Sequence, residues 1–197
     1  MKILAVQNRM GIGDTVMFLP FIEAISKKFN VPVSLLVKKS SKADQYLKQT
    51  DYLENIIFLE RNNKKDEKHN GILGSIRLAQ ELKKNKFDKI FIFNSSLRFN
   101  LIARLANIKE IYQYPLFKKT NQHIIQPAKN LIQKNLGINI FEDPQIGINS
   151  YLIKEAVLKF NIKSDELNIL LGIGGSGSTK RIPSKTFLSV MEKIYNF

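Results

Sequence analysis

The sequence predicts an α/β fold, a Rossmann-like doubly wound parallel sheet, on three observations. Short apolar runs recur at the spacing of a strand plus a helix, the runs are continuous rather than alternating, and the segments between them carry helical period. Continuous runs mark strands buried on both faces, since neither side of the pleat then meets water. Parallel strands need a crossover of a dozen or more residues, which the intervals supply.

Ile3 to Val6 is the first such run, followed by the loop Gln7 to Thr15. Phe18, Ile22, Ile25 and Phe29 then recur at helical spacing and place an apolar stripe on one face. Val33 to Val37 and Ile56 to Leu59 read as the second and third strands. Arg61 to Asn70 (RNNKKDEKHN) is polar and aperiodic, an exposed loop. Ile72, Ile76 and Ala79 put an apolar stripe on the next helix, ahead of the strands Ile90 to Phe93 and Glu110 to Tyr114. Helices follow around Ile125 to Leu136 and Tyr151 to Phe160, then a linker, NIKSDEL, from Asn161 to Leu167. Beyond it a fresh strand, Ile169 to Ile173, a Gly-rich turn and a helix bearing Phe187, Val190 and Ile194 are expected. At about 150 residues per domain, 197 residues suit one domain plus part of another. The expected division is 1–165 and 166–197.

Composition excludes several chemistries. Without cysteine there is no disulfide framework, thiolate zinc site, iron–sulfur cluster or cysteine nucleophile. No stretch approaches the roughly 18 apolar residues that span a bilayer, and Ile3 to Val6 is too short for a signal-peptide core; a cytoplasmic location is expected. The formal net charge is +14. Residues 61–134 hold 16 basic and 5 acidic side chains, so most of the excess lies in the middle of the chain. Such a block suits nucleic acid, an anionic membrane surface or an anionic substrate. It equally suits the Lys-, Asn- and Ile-rich usage of an AT-rich genome.

Two strand–turn–helix junctions concentrate the residues that could carry chemistry, where an open α/β sheet gathers its ligands. In the first, QNRMGIGDT, Gly11 and Gly13 permit close ligand approach, and Asp14 at the helix start can accept a proton or cap the helix, a role that contributes about 1 kcal/mol. The loop is not a dinucleotide fingerprint: Val16 replaces the third glycine, and Lys38 and Lys39 stand where an acid should hold the ribose. No Walker A sequence occurs. The second junction, GIGGSGSTKRIP from Gly172 to Pro183, combines four glycines, three hydroxyls and two cations, suited to cradling phosphate.

Together these residues resemble the heptosyltransferase-like glycosyltransferases called family 9, best known for the lipopolysaccharide heptosyltransferases. KILAVQNRMGIGDTVMFLPFIEAI resembles the family's first strand and loop, with Gly13, Asp14 and Pro20 at the matching places; FDKIFIFNSSLRFNLIARLANIKEIYQY resembles its F-D-x-[VI] strand and following helix; GSGSTKRIPSKTF resembles its nucleotide-sugar loop, with Ile182 where the family has Trp. The resemblance covers essentially the whole chain.

It implies a GT-B architecture, two Rossmann-like domains facing across a cleft, of which this chain is the N-terminal half plus the first β-α unit of the second. It implies an inverting, metal-independent transfer of a sugar, a heptose, to a lipopolysaccharide or cell-envelope glycan. No cofactor is implied; the donor is a nucleotide sugar, ADP-heptose, and the acceptor an anionic lipid-linked glycan. Asp14 matches the general base. Gly175, Ser176, Thr179 and Lys180 match the donor-phosphate loop. Arg61, Lys64, Lys65 and Arg98 are the candidate acceptor contacts. Peripheral contact with the cytoplasmic face of the inner membrane follows, with no specific nucleic acid as partner. Because the family's second domain continues for another domain-sized stretch, the chain is expected to be a truncated, inactive portion. The competing reading is a non-catalytic basic α/β module that binds nucleic acid or other polyanions with strong salt dependence. The middle block lacks the interleaved surface aromatics of such a module.

Overall fold

Five strands form one parallel sheet in the order β3-β2-β1-β4-β5: β1 (Ile3–Gln7), β2 (Val33–Lys38), β3 (Leu53–Leu59), β4 (Lys89–Ile92) and β5 (Glu110–Gln113). The computed structural model describes residues 1–9, 11–61, 67–116, 123–174 and 181–195. The chain winds outward from β1 to β3, then returns to lay β4 and β5 on the other side of β1. The order therefore reverses between β1 and β4, the place where open α/β sheets bind ligands.

Alternate residues of the central strands serve two cores. Ile3, Ala5, Leu35, Val37 and Phe91 pack toward α2 (Leu19–Phe29) and α6 (Ile125–Leu136), whose Ile22, Ile25, Ala128 and Ile132 are buried. Leu4, Val6, Leu36, Ile90 and Ile92 pack toward α4 (Gly71–Asn85) and α5 (Leu97–Leu105), through Leu78, Leu82, Phe99 and Ile102. Every residue of β1 is buried, which is why its run shows no alternation. Two short helices, α1 (Ile12–Val16) and α3 (Ala43–Tyr46), complete this part. Asn30 (φ 52°) ends α2 and Gly137 (φ 72°) ends α6, both in the left-handed conformation that stops a helix.

The sequence expectation for α4 differs from the structure in its buried face. Ile72 is 82% and Ile76 41% exposed, while Gly74, Leu78, Ala79 and Leu82 turn inward. The cause is a backbone contact: a Cβ on Gly74 would lie 2.3 Å from the His69 carbonyl carbon. Only glycine lets the first turn of α4 approach that close, and this approach fixes which side of the helix faces the sheet.

The chain divides into two compact units, Met1–Ile148 and Asn149–Phe197. The second holds α7 (Ser150–Lys159), started by the Asn149 side chain accepting from the Tyr151 N–H at 2.8 Å, and α8 (Ser184–Tyr195). It thus includes α7, which the sequence expectation assigns to the first domain. The expected strand at 169–173 carries no strand pairing: no partner strand lies beside it among the described residues, and Leu170 and Ile173 are exposed. A strand is defined by the backbone groups it pairs with, and apolar composition alone does not make one.

Candidate functional site at the strand switch point

The loop after β1 is organised by a buried amide. Gln7 is 1% exposed; its Nε2 donates to the Asp14 carbonyl at 2.9 Å, and its Oε1 accepts from the Arg9 N–H. This clamps both ends of the turn between β1 and α1. Gly11 stands at the N-cap of α1 and Asp14 in its first turn, so Asp14 is not itself the N-cap residue. Its carboxylate reaches back to accept from the Gly11 N–H at 3.2 Å. A Cβ on Gly11 would lie 3.1 Å from that oxygen, so a side chain there would push the carboxylate by a few tenths of an ångström; the φ of −96° is open to any residue. Among the described residues nothing beyond its chain neighbours lies within 4 Å of a Cβ built on Gly13, which leaves space beside the carboxylate's loop.

Asp14 therefore caps its helix through one oxygen and keeps the other toward solvent. Its side chain is 31% exposed, and Oδ1 faces the Arg9 guanidinium at 4.0 Å. A carboxylate oriented by backbone, partly desolvated and still accessible can take a proton from a bound hydroxyl.

Asparagine and glutamine side chains build the other wall. Asn94, after β4, donates to the Asn8 side chain at 3.3 Å across the switch point. Gln113, at the end of β5, donates to the carbonyls of Asn94 and Ser96 and accepts from Asn100 of α5 at 3.0 Å. Next to it, burial raises the Tyr114 phenol pKa, and the Arg9 charge opposes the shift, which places Arg9 near both Asp14 and Tyr114. Beside this wall opens a cleft of about 550 Å³ between β5 and α6, lined by Ser95, Tyr112, Gln113, Tyr114, Asn130 and Lys134 among others.

Two cations sit at the same edge. Arg98, in the first turn of α5, donates through Nη2 to the His69 carbonyl, while its buried Nε has no partner among the described residues. Burial, then the neighbouring Arg61 charge, lowers the Arg98 pKa from its ordinary value. The fold thus brings Arg61 and Arg98, far apart in sequence, into electrostatic contact. Two like charges at a partly buried edge favour an anion between them.

His69 anchors this arrangement, against the expectation that Arg61 to Asn70 is an exposed loop. It is 1% exposed, its Nδ1 accepts from the Glu60 N–H at 3.0 Å, and its Nε2 meets Glu81 at 3.2 Å. Lys64, Lys65, Gly175, Ser176, Thr179 and Lys180 lie outside the described residues. Arg9, Gln7, Asn94, Gln113 and His69 were missed by sequence reasoning. The Asn-Ser-Ser run after β4 is the one local signal that could have found the second wall.

No protein-family model and no curated protein matches the sequence. Solved structures do match its fold. A family 9 glycosyl transferase from Veillonella parvula superposes with a TM-score of 0.73 at 16% identity over 98% of this chain and 59% of that one. The ADP-heptose lipopolysaccharide heptosyltransferase II of E. coli gives 0.69 at 14% identity, over 100% of this chain and 62% of that one. E. coli heptosyltransferase WaaC with ADP-2-deoxy-2-fluoro heptose gives 0.64 at 15% identity, over 98% and 65%. The chain spans about three fifths of the length of these proteins. A parallel five-stranded sheet with a polar site at its β1/β4 switch point is, in this chain, the Rossmann-like fold of the family 9 glycosyltransferases, the family that the sequence resembles.

Proposed function

We propose that the protein carrying this chain is a glycosyltransferase that moves a heptose from ADP-heptose to an anionic, lipid-linked lipopolysaccharide acceptor, at the cytoplasmic face of the inner membrane. The observation that carries the reading is the Asp14 carboxylate. It is held by its own loop's backbone at the strand switch point of a family 9 fold, with open space beside Gly13.

In this reading the acceptor hydroxyl loses its proton to Asp14 as its oxygen attacks the anomeric carbon. The bond from that carbon to the diphosphate breaks with inversion, and the nucleoside diphosphate leaves with its electron pair. Arg9 faces Oδ1 and orients the carboxylate. Arg61 and Arg98 take an anionic group of the acceptor. Gly175, Ser176, Thr179 and Lys180 are assigned to the donor phosphates, whose departing charge Lys180 offsets without a metal.

The test is transfer by the protein that carries these residues, wild type against Asp14→Asn. Asparagine can still accept from the Gly11 N–H, so the fold is kept while the base is lost. We expect kcat to fall at least about 100-fold, the scale of general-base catalysis. Near-normal turnover would reduce Asp14 to a helix cap.

A further inference from the structure

We propose that the outward face shared by α4 and α5 is a docking surface for an anionic lipid bilayer. The partition it predicts needs no catalysis; only its bearing on the acceptor rests on the transfer reading.

On α4, Ile72, Leu73 and Ile76 are exposed by 82%, 70% and 41%; on α5, Leu97, Leu101 and Leu105 recur every fourth residue and are exposed by 43%, 50% and 57%. The sheet-facing side of each helix is already filled, by Leu78 and Leu82 on α4 and by Phe99 and Ile102 on α5, so these six side chains are a second apolar face. The helices pack side by side on one face of the sheet, which makes them a contiguous patch of the kind that marks an interaction site.

Charge selects the occupant. The two helices carry Arg77, Lys83, Lys84, Arg98 and Arg104 against a single acid, Glu81. That acid is engaged by Lys68 at 2.8 Å and His69 at 3.2 Å. Aliphatic side chains flanked by long cations suit a headgroup boundary, where the apolar groups enter the acyl region and the cations meet phosphate. A second copy of the chain would instead bring like charges together. No helix among the described residues is long and apolar enough to cross a membrane.

The geometry gives this contact a direction. Ile72, Leu73 and Leu97 stand at the starts of their helices, at the same edge of the sheet as Asp14 and Arg98. Docking on this face brings that edge to the headgroups, where a lipid-linked acceptor arrives.

Sedimentation of the 197-residue chain with phosphatidylcholine vesicles, neutral or containing about 30% phosphatidylglycerol, tests this. We expect partition onto the anionic vesicles only. Leu97→Ser/Leu101→Ser/Leu105→Ser should lower it at least about tenfold with an unchanged circular dichroism spectrum. Arg77→Glu/Lys84→Glu should do the same, since each surface cation contributes about fivefold. Lys28→Glu/Lys134→Glu, on the helices of the opposite face, should leave it within about twofold. Failure to bind anionic vesicles overturns the proposal, as does a leucine variant that binds like wild type. A stable dimer in equilibrium sedimentation that the leucine variant dissociates also overturns it, by assigning the face to a second copy.

Discussion

Gly74→Ala is the substitution for which the structure gives the clearest magnitude. A Cβ there would lie 2.3 Å from the His69 carbonyl carbon, 2.7 Å from its Cα and 2.8 Å from its oxygen. Ordinary contact begins near 3.4 Å, so the first turn of α4 and the backbone at His69 must separate by about 1 Å. Forcing such a shift in a packed region costs about 1–3 kcal/mol. Moving His69 also weakens the bond that the Arg98 guanidinium makes to its carbonyl, a further ~1 kcal/mol. Alanine returns about 1 kcal/mol in helix propensity. The net effect is a loss of about 2 kcal/mol, or a Tm lower by roughly 4–8 °C for a chain of this size. Thermal unfolding followed by circular dichroism measures it. A Tm equal to or above that of wild type would show that His69 yields freely, and the Gly74 contact could then no longer be the reason α4 buries the face it does.

Gly13→Ala is the complementary case: nothing lies near its Cβ, so stability should hold or rise by up to ~1 kcal/mol, while transfer falls at least about tenfold because the methyl enters the space beside Asp14. Full activity in a folded variant would show that no ligand occupies that space. Arg61→Glu should raise the acceptor KM and leave kcat within about twofold, since the contact is made equally in ground and transition state; an unchanged KM would remove Arg61 from the acceptor contacts. Glu81 gives a pH signature. Burial opposes its ionisation, but hydrogen bonds from Lys68 and His69 outweigh this and hold its carboxyl below the ordinary 4.5. A depressed folded pKa means stability that is present above the unfolded value and lost as pH falls through the folded one. The urea midpoints of wild type and Glu81→Gln should therefore differ at pH 7 and converge as pH falls below the ordinary carboxylate value and through the depressed folded one; a constant gap would contradict the linkage.

What the sequence made legible was burial on two faces. Ile3–Val6 and Ile90–Phe93 are unbroken apolar runs, and Val33–Val37 is interrupted only by the buried Ser34, because helices cover both sides of β1, β2 and β4; the structure places strands at all three. The Phe18, Ile22, Ile25 stripe was equally plain, since it meets the sheet directly. The register of α4 was hidden because Gly74 meets the His69 backbone, a close local contact at the helix start that leaves no mark on apolar periodicity. His69 was hidden for a related reason. It sits in a run of charged residues that reads as solvent-facing, yet the Glu60 N–H and the Glu81 carboxylate satisfy both its ring nitrogens. For the site, the Gly11, Gly13 and Asp14 spacing pointed to the loop that leaves β1 at the switch point. The Arg61–Arg98 pair depends on α4 and α5 packing side by side and on Arg98 reaching the His69 carbonyl, tertiary contacts that no local pattern encodes.

The central position of β1 also sets a timetable. Ile3–Gln7 leaves the ribosome ahead of both strands it pairs with, Val33–Val37 on one side and Lys89–Ile92 on the other, and the Lys2 N–H is received by Asp88. At about 5–20 residues per second, the second partner arrives roughly 4–17 s after the first strand has emerged. Until then one edge of the most apolar strand stands open, and the Asp14 loop hangs from a strand that is only half fixed. Slowing synthesis within residues 40–90 lengthens that exposed interval, so aggregation of the nascent chain should track translation speed there more than it tracks the stability of the finished fold.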